Sequence, residues 1–254
     1  MDSSASANLQ SVERAFEVVE ALHELGASGV TELADELDMP KSTVHRYLST
    51  LHAGNYVVRR DGQYQVGFKF LDIGARKRQR VPEYRFVEPK LRQLADETGE
   101  RVQFIVEEHG RGVIVYWEAG DQAVSLGSRS GKRIPLHTAA AGKAILSQLP
   151  EESVHEILDR RELTPETPHS ITDRDELLEH LELIRERGYS YNKEEHTEGL
   201  WSVGVPIADS DDGVLGSISI SGPTHRLVGE RVEREIPDLL LGTANEIELN
   251  ITYG

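Results

Sequence analysis

Pro40-Lys41-Ser42-Thr43-Val44-His45-Arg46-Tyr47-Leu48-Ser49-Thr50-Leu51 is the stretch on which the fold turns. Proline fits the first position of a helix, where its missing N–H is no loss. Val44, Leu48 and Leu51 then recur at helical spacing as a buried stripe. The other face carries Lys41, Ser42, Thr43, His45, Arg46 and Ser49, a run of short or cationic donors. Upstream, Val12, Ala15, Phe16, Val19, Leu22 and Leu25 repeat at helical spacing over 11–25, with Glu13, Arg14, Glu17, Glu20 and Glu24 opposite. Gly26 and Gly29 bracket a break. Val30, Leu33, Ala34 and Leu37 predict a short second helix, and Asp38-Met39 a turn. Downstream, 56–60 and 63–66 are strand-like, and the Asp61-Gly62 pair between them is a two-residue hairpin signal. Helices plus this hairpin make an N-terminal all-α winged helix-turn-helix. In that motif the third helix enters the DNA major groove while the second braces it.

Charge is distributed to match. The 254 residues carry a net charge of −16, yet 1–82 hold 10 Lys+Arg against 11 Asp+Glu, and 83–254 hold 18 against 33. Within 40–80 there are nine basic residues and two acidic ones. A basic stripe inside an acidic chain is an electrostatic footprint for phosphate; a merely solvated charged face is the alternative. Arg59 and Arg60 in the hairpin and the 76–80 cluster extend the stripe, the latter on a basic linker helix over 67–80 that Pro82 closes. There are 21 Arg and only 7 Lys. High acidity with scarce lysine suggests adaptation to high salt, as in a halophilic archaeon.

The second half follows a different pattern. Helices are expected at 87–98, 138–149, 151–160, 173–187 (ended by Gly188) and 229–249. Strands are expected at 102–106, 113–117, 123–128, 189–192, 200–208 and 214–221, with Asp211-Asp212-Gly213 turning between the last two. Helices flanking several antiparallel strands make an α+β domain. Domain limits follow as 8–66 for the winged head, 67–82 for the linker helix and 83–254 for the second domain.

Several motifs, in order, carry a resemblance over nearly the whole chain. They are Ser11-Val12-Glu13-Arg14-Ala15, Pro40 through Arg46, Tyr64-Gln65-Val66-Gly67, His137-Thr138-Ala139-Ala140-Ala141-Gly142-Lys143-Ala144, Arg187-Gly188-Tyr189, Glu194-Glu195-His196 with Gly199, and Ser219-Ile220-Ser221-Gly222-Pro223. With these the chain resembles the IclR family of bacterial and archaeal transcription regulators. The resemblance implies a GAF-like second domain, a curved antiparallel sheet with helices on one side and a ligand pocket on the other. It implies a homodimer formed through the head and linker, often paired again into tetramers. The implied partners are double-stranded DNA and a small-molecule effector, usually an organic acid, aromatic acid or sugar-derived metabolite.

The DNA-binding candidates are Lys41, Ser42, Thr43, His45, Arg46, Arg59 and Arg60. Carried over position by position, the resemblance nominates Ala140, Ala141 and Gly142 for backbone N–H contacts to an effector, because a helix N-terminus offers free donors and a favourable dipole. It also nominates Asn192, Ser202, Ser219 and Ser221. Ser219 and Ser221 are two apart on a strand and share one face; a polar sheet surface is the plain alternative. Asn192 stands where some acid-sensing relatives carry an acidic residue, and Ser202 where some carry Cys, which leaves the effector's identity open.

Other functions find little support. Cysteine is absent, which excludes disulfides, thiolate metal sites and a thiol nucleophile. No apolar run approaches a bilayer span, and 1–10 is polar, so the expectation is a cytoplasmic protein with no membrane partner. No G-x-S-x-G, H-E-x-x-H or P-loop occurs, so no enzyme and no cofactor are expected, and Gly127-Ser128-Arg129-Ser130-Gly131 is taken as a loop. Glu194, Glu195 and His196 are spaced too tightly to bring three groups to one metal, and no metal site is expected. A protein-interaction adaptor using the same folds without specific DNA binding is the alternative of another class.

Overall fold

The computed structural model describes residues 9–125, 127–210 and 213–254. The chain divides into two compact units, with the boundary between Arg80 and Val81. Most of the polar N-terminus, Leu126 and the Asp211-Asp212 pair lie outside the described residues.

The first unit contains α1 (Gln10–Leu25), α2 (Val30–Glu36), α3 (Lys41–Ala53), β1 (Val57–Arg60), β2 (Gln63–Val66) and α4 (Lys69–Gln79). Pro40 stands one place earlier than expected, as the N-cap of α3. Its φ of −59° and ψ of 135° are not helical, and its carbonyl accepts from the N–H groups of Thr43 and Val44. The hairpin turn is of type I′: Asp61 and Gly62 both have positive φ, 51° and 82°. A pair of hydrogen bonds between Ser28 and Tyr64, of 2.9 and 2.8 Å, pins the α1–α2 connection to the hairpin. Val18, Ala21, Leu22, Leu33, Val44, Leu48, Val57 and Tyr64 fill the core. Each valine or leucine among these contributes roughly 1.5–3 kcal/mol on burial.

The apolar spacing in α1 points elsewhere. Val18, Ala21 and Leu22 face the core, whereas Val12 is 47% and Phe16 58% exposed. Phe68 at the start of α4 is 85% exposed and Leu71 65%. The head thus displays large apolar side chains on two helices. The helix expected as a linker packs on the head itself: Lys69 Nζ donates to Gly54 O at 2.8 Å and lies 4.3 Å from the Tyr56 ring centroid, and Phe70 packs against Tyr56.

The second unit contains α5 (Tyr84–Thr98), β3 (Arg101–Glu108), β4 (Arg111–Ala119), β5 (Arg133–Ile134), α6 (Ala140–Gln148), α7 (Glu151–Arg160), α8 (Arg174–Arg187), β6 (Ser190–Lys193), β7 (Leu200–Ala208), β8 (Val214–Pro223) and α9 (Ile236–Tyr253). A π-helical turn, Arg231–Glu235, leads into α9, where Pro237 has no N–H to bond back into it. The sheet is antiparallel in the order β5-β4-β3-β8-β7-β6. One face packs Val102, Phe104, Val203, Val205, Ile218 and Ile220 against α5 and α9. The other meets α6, through Ile105, Ile114 and Ile134 packed on Ala139, Ala141 and Ile145.

Two expectations are corrected here. The helices do not all lie on one side of the sheet: α6 covers the face that also bears the cavity described below, and α8 packs behind α6. The described residues of 123–128 form no strand. The N–H of Gly120 is tied to Glu100 O and that of Gln122 to Gly99 O, which turns the chain out of the sheet. The two-residue β5 pairs with β4 instead, at Gly112 and Val113.

Candidate functional site

On the head, α3 is anchored by Val44 and Leu48 and leaves the opposite face to solvent. Lys41, Ser42, His45 and Arg46 are exposed and Thr43 is half-buried. Among the described residues none of these side chains has a hydrogen-bond or ion-pair partner, so their donors are free for an external ligand. Ser49 and Thr50 are different: their hydroxyls donate back to His45 O and Arg46 O, at 2.8 and 3.0 Å. Arg59 and Arg60 are both exposed, but successive strand residues point to opposite faces. The Arg59 guanidinium lies 5.4 Å from the centroid of its cross-strand neighbour Tyr64, while Arg60 pairs across with Gln63 at the turn. In the 76–80 cluster, Arg76 is tied to Asp72 at 3.0 Å.

In the second unit, the α6-facing side of the sheet is a polar floor. Asn192, Ser202, Ser221 and Arg101 stand side by side in one row across β6, β7, β8 and β3; Gly204, Ser219 and Gln103 form the next. Above them the chain enters α6, and the space between is a cavity of about 70 Å³. Gly204 sets its height, because a Cβ there would stand 2.7 Å from Ala140 C and Ala141 N. The N-cap Ala139 gives α6 no side-chain cap, so the first-turn N–H groups have no side-chain acceptor there. Of the residues nominated for an effector, Ala140, Ala141, Asn192, Ser202, Ser219 and Ser221 all line this cavity. Gly142 does not. A Cβ on it would lie 2.2 Å from Leu136 O, so this glycine serves the close packing of α6 on the preceding turn.

The hydroxyls are not equivalent. Ser202 Oγ donates to Ser221 Oγ at 2.9 Å. Ser219 Oγ has no protein partner among the described residues. Asn192 Oδ1 accepts from Glu195 N at 2.8 Å, and its amide nitrogen has no hydrogen-bond partner among the described residues.

Several lining residues were not among those nominated from the sequence for an effector: Arg101, Gln103, Ser128, Lys132, His196 and Thr197. Arg101 Nη1 and Gln103 Nε2 both donate to Ser128 Oγ, at 3.2 and 3.4 Å. Ser128 belongs to the run taken as a plain loop. Arg101 Nε is buried with no hydrogen-bond partner, and burial lowers the guanidinium pKa to about 10. Among the described residues no Asp or Glu lines the cavity. The surface is therefore rich in donors and positive in charge, which suits an anionic or acceptor-rich ligand.

The Glu194–His196 segment closes one side, each side chain with a protein partner. Glu194 Oε2 accepts from Gly199 N at 2.7 Å, and His196 Nδ1 contacts Thr138 Oγ1 at 3.1 Å. Glu195 Oε2 accepts from Lys143 Nζ in an ion pair buried beneath α6, where Lys143 is 2% exposed. Burial lowers the Lys143 pKa against the opposing pull of Glu195. His137 and His196 are likewise lowered by burial. Among the described residues no three His, Cys, Asp or Glu side chains gather as a metal site, and no helix is long and apolar enough to cross a membrane.

Comparison with known proteins covers both units. Residues 11–61 match a family profile described as the IclR helix-turn-helix domain, and residues 80–249 one described as the bacterial transcriptional regulator IclR C-terminal domain. A probable HTH-type transcriptional regulator, ArcR, of Halobacterium salinarum is 33% identical over 96% of this chain and 94% of its own. The crystal structure of the Thermotoga maritima IclR superposes with a TM-score of 0.81 at 32% identity, covering 97% of this chain and 100% of that one. An IclR homologue from Microbacterium hydrocarbonoxydans, complexed with 4-hydroxybenzoate, shares the fold at TM-score 0.82 and 21% identity, over 95% and 98% of the two chains. The named relatives are transcriptional regulators, not enzymes.

Proposed function

Because the chain belongs to the IclR family of transcriptional regulators, we propose that it binds a specific operator through α3 and that a small metabolite, an organic acid or a sugar-derived compound, held in the cavity beneath α6, modulates that binding. The observation that carries the DNA half is the unpartnered row Lys41, Ser42, Thr43, His45 and Arg46, on a helix whose other face is locked in the core. Thr43 and Arg46 read base edges, and the wing arginines hold phosphates. The donor-lined cavity supports the sensing half, and so does the bound 4-hydroxybenzoate of the Microbacterium relative.

The functional segments are 8–66 for reading, 67–82 for the connecting helix and 83–254 for sensing. The exposed Val12, Phe16, Phe68 and Leu71 support a homodimer formed through the head, with tetramers as a further association. The protein works in the cytoplasm, and its net charge of −16 with scarce lysine fits a salt-rich one. An effector changes DNA affinity only insofar as it prefers one arrangement of the dimer, and α4 is the element through which that preference passes.

A gel shift against the gene's own upstream DNA, with unrelated DNA as competitor and a panel of carboxylic acids added, tests the proposal. A shift that resists competitor and changes with one acid supports it. Equal binding to all sequences favours the adaptor.

A further inference from the structure

The two ends of the cavity are both built to hold negative charge, and they lie on different strands. At one end the Ala140–Ala141 peptide, in the uncapped first turn of α6, stands over Gly204 in β7. At the other, Arg101 rises from β3. β8 lies between, so the backbones of these two ends are roughly 10 Å apart, two strand spacings. The paired hydroxyls of Ser202 and Ser221 occupy the middle.

Arg101 is the unexplained member. A guanidinium has five donors, and here a buried Nε has no acceptor and Nη1 reaches only the hydroxyl of Ser128. Among the described residues no carboxylate pairs with it. A half-buried cation without a counter-ion is costly unless something supplies the charge. Its neighbours across the sheet, Ser221 on β8 and Ala119 on β4, offer the guanidinium no acidic group. A helix N-terminus by itself accommodates one carboxylate. The second cationic anchor, across the serines from the first, asks for a second.

We propose that the effector is a small dicarboxylate, with one carboxylate on the first turn of α6 and the other on Arg101, where it replaces the hydroxyl of Ser128 as the acceptor of that guanidinium. This rests on the effector reading above and specifies it. A planar guanidinium fork donates to a carboxylate through two parallel bonds, a geometry that a lysine ammonium does not offer. Gln103 Nε2, now on the same Ser128 hydroxyl, is placed to donate to the incoming group as well.

The test is calorimetric titration of the full chain at one fixed potassium chloride concentration with three probes. Succinate carries charge at both ends, butyrate at one, and inorganic phosphate at a single point. Succinate is expected to bind more tightly than either of the others. Losing the Arg101 contact should weaken succinate roughly 10- to 100-fold, the range expected for a hydrogen bond to a charged group. Arg101→Gln should do this while weakening butyrate less, and Arg101→Lys should fall between. Because Arg101 has no acidic partner among the described residues, Arg101→Gln should unfold thermally no earlier than the parent, which separates a lost contact from a lost fold. Butyrate or phosphate matching succinate, or Arg101→Gln leaving succinate binding intact, overturns the proposal, as does the absence of binding by all three. If succinate and butyrate bind equally and Ser221→Ala weakens both, the cavity remains the effector site and only the second anchor falls.

Discussion

Ser202 Oγ donates its hydrogen bond to Ser221 Oγ across the β7–β8 pair, so the two hydroxyls face the cavity as a unit. Ser221→Ala removes the acceptor and leaves Ser202 without its partner. With a charged effector the loss should be about 1.5–3 kcal/mol of effector affinity. DNA binding without effector should survive. A Ser221→Ala protein that responds normally in the gel shift places the ligand elsewhere, and one that no longer binds DNA gives the pair a folding role.

On the head, Arg46→Ala and Thr43→Ala should weaken binding to the operator more than to random DNA. Each lost base contact should cost about 1–3 kcal/mol and relax the preference at one operator position. Competition titrations against single-base operator variants measure this. Equal losses on every sequence would assign both residues to phosphate.

Arg60 offers the cleaner test of backbone contact, because Arg59 also stacks on Tyr64 and its removal disturbs the wing. Arg60→Ala should weaken binding evenly across sequences and reduce the slope of log K against log salt by about one. An unchanged slope contradicts the assignment. At high working salt this term is screened, and base contacts and dimer avidity carry more of the affinity.

The Lys143–Glu195 pair fastens the 193–197 segment to α6. Lys143→Met strands a buried carboxylate and should destabilise the protein by about 3–5 kcal/mol. Adding Glu195→Gln should restore much of that loss. Urea unfolding of the parent, single and double variants gives the comparison; additive losses would mean the two residues act independently.

His137 and His196 titrate below the usual imidazole range because burial disfavours the charged ring. Between the lowered and the ordinary value the unfolded chain holds more protons, so stability rises with pH there. The contribution of these rings is complete above the ordinary histidine range of about 6.5 and is lost as pH falls through their lowered values. Thermal unfolding should therefore move to lower temperature on acidification, and less so in His196→Gln. The carboxylates are common to both proteins and cancel in the comparison. Identical slopes for parent and variant would count against it.

What could be read in the sequence was local. The α3 stripe, the Asp61-Gly62 turn and the shared face of Ser219 and Ser221 each depend on residues a few positions apart, where periodicity and turn chemistry act directly. Arg101 escaped because its place beside Ser221 depends on β3 pairing with β8 across more than a hundred residues. Ser128 escaped because a loop has no period, and the same run was mistaken in part for a strand. The stripe in α1 was seen but its direction was not: Val12 and Phe16 have core-like spacing and face outward. Gly142 was nominated through resemblance as part of a ligand contact, whereas its missing side chain makes room for the Leu136 backbone.

Gly204 makes the clearance over the binding floor a property of bare main chain. With α6 resting directly on β7, that clearance does not depend on which side chains furnish the floor. Exchanges among Asn192, Ser202, Ser219 and Ser221 can alter which functional groups are greeted without altering how thick a molecule is admitted. A methyl group at 204 would do the reverse, wedging roof from floor for every ligand at once. If the cavity holds the effector, its chemistry therefore has an open route of change through the polar row and a closed one through the glycine, and the groups recognised can differ while one gauge of size is kept.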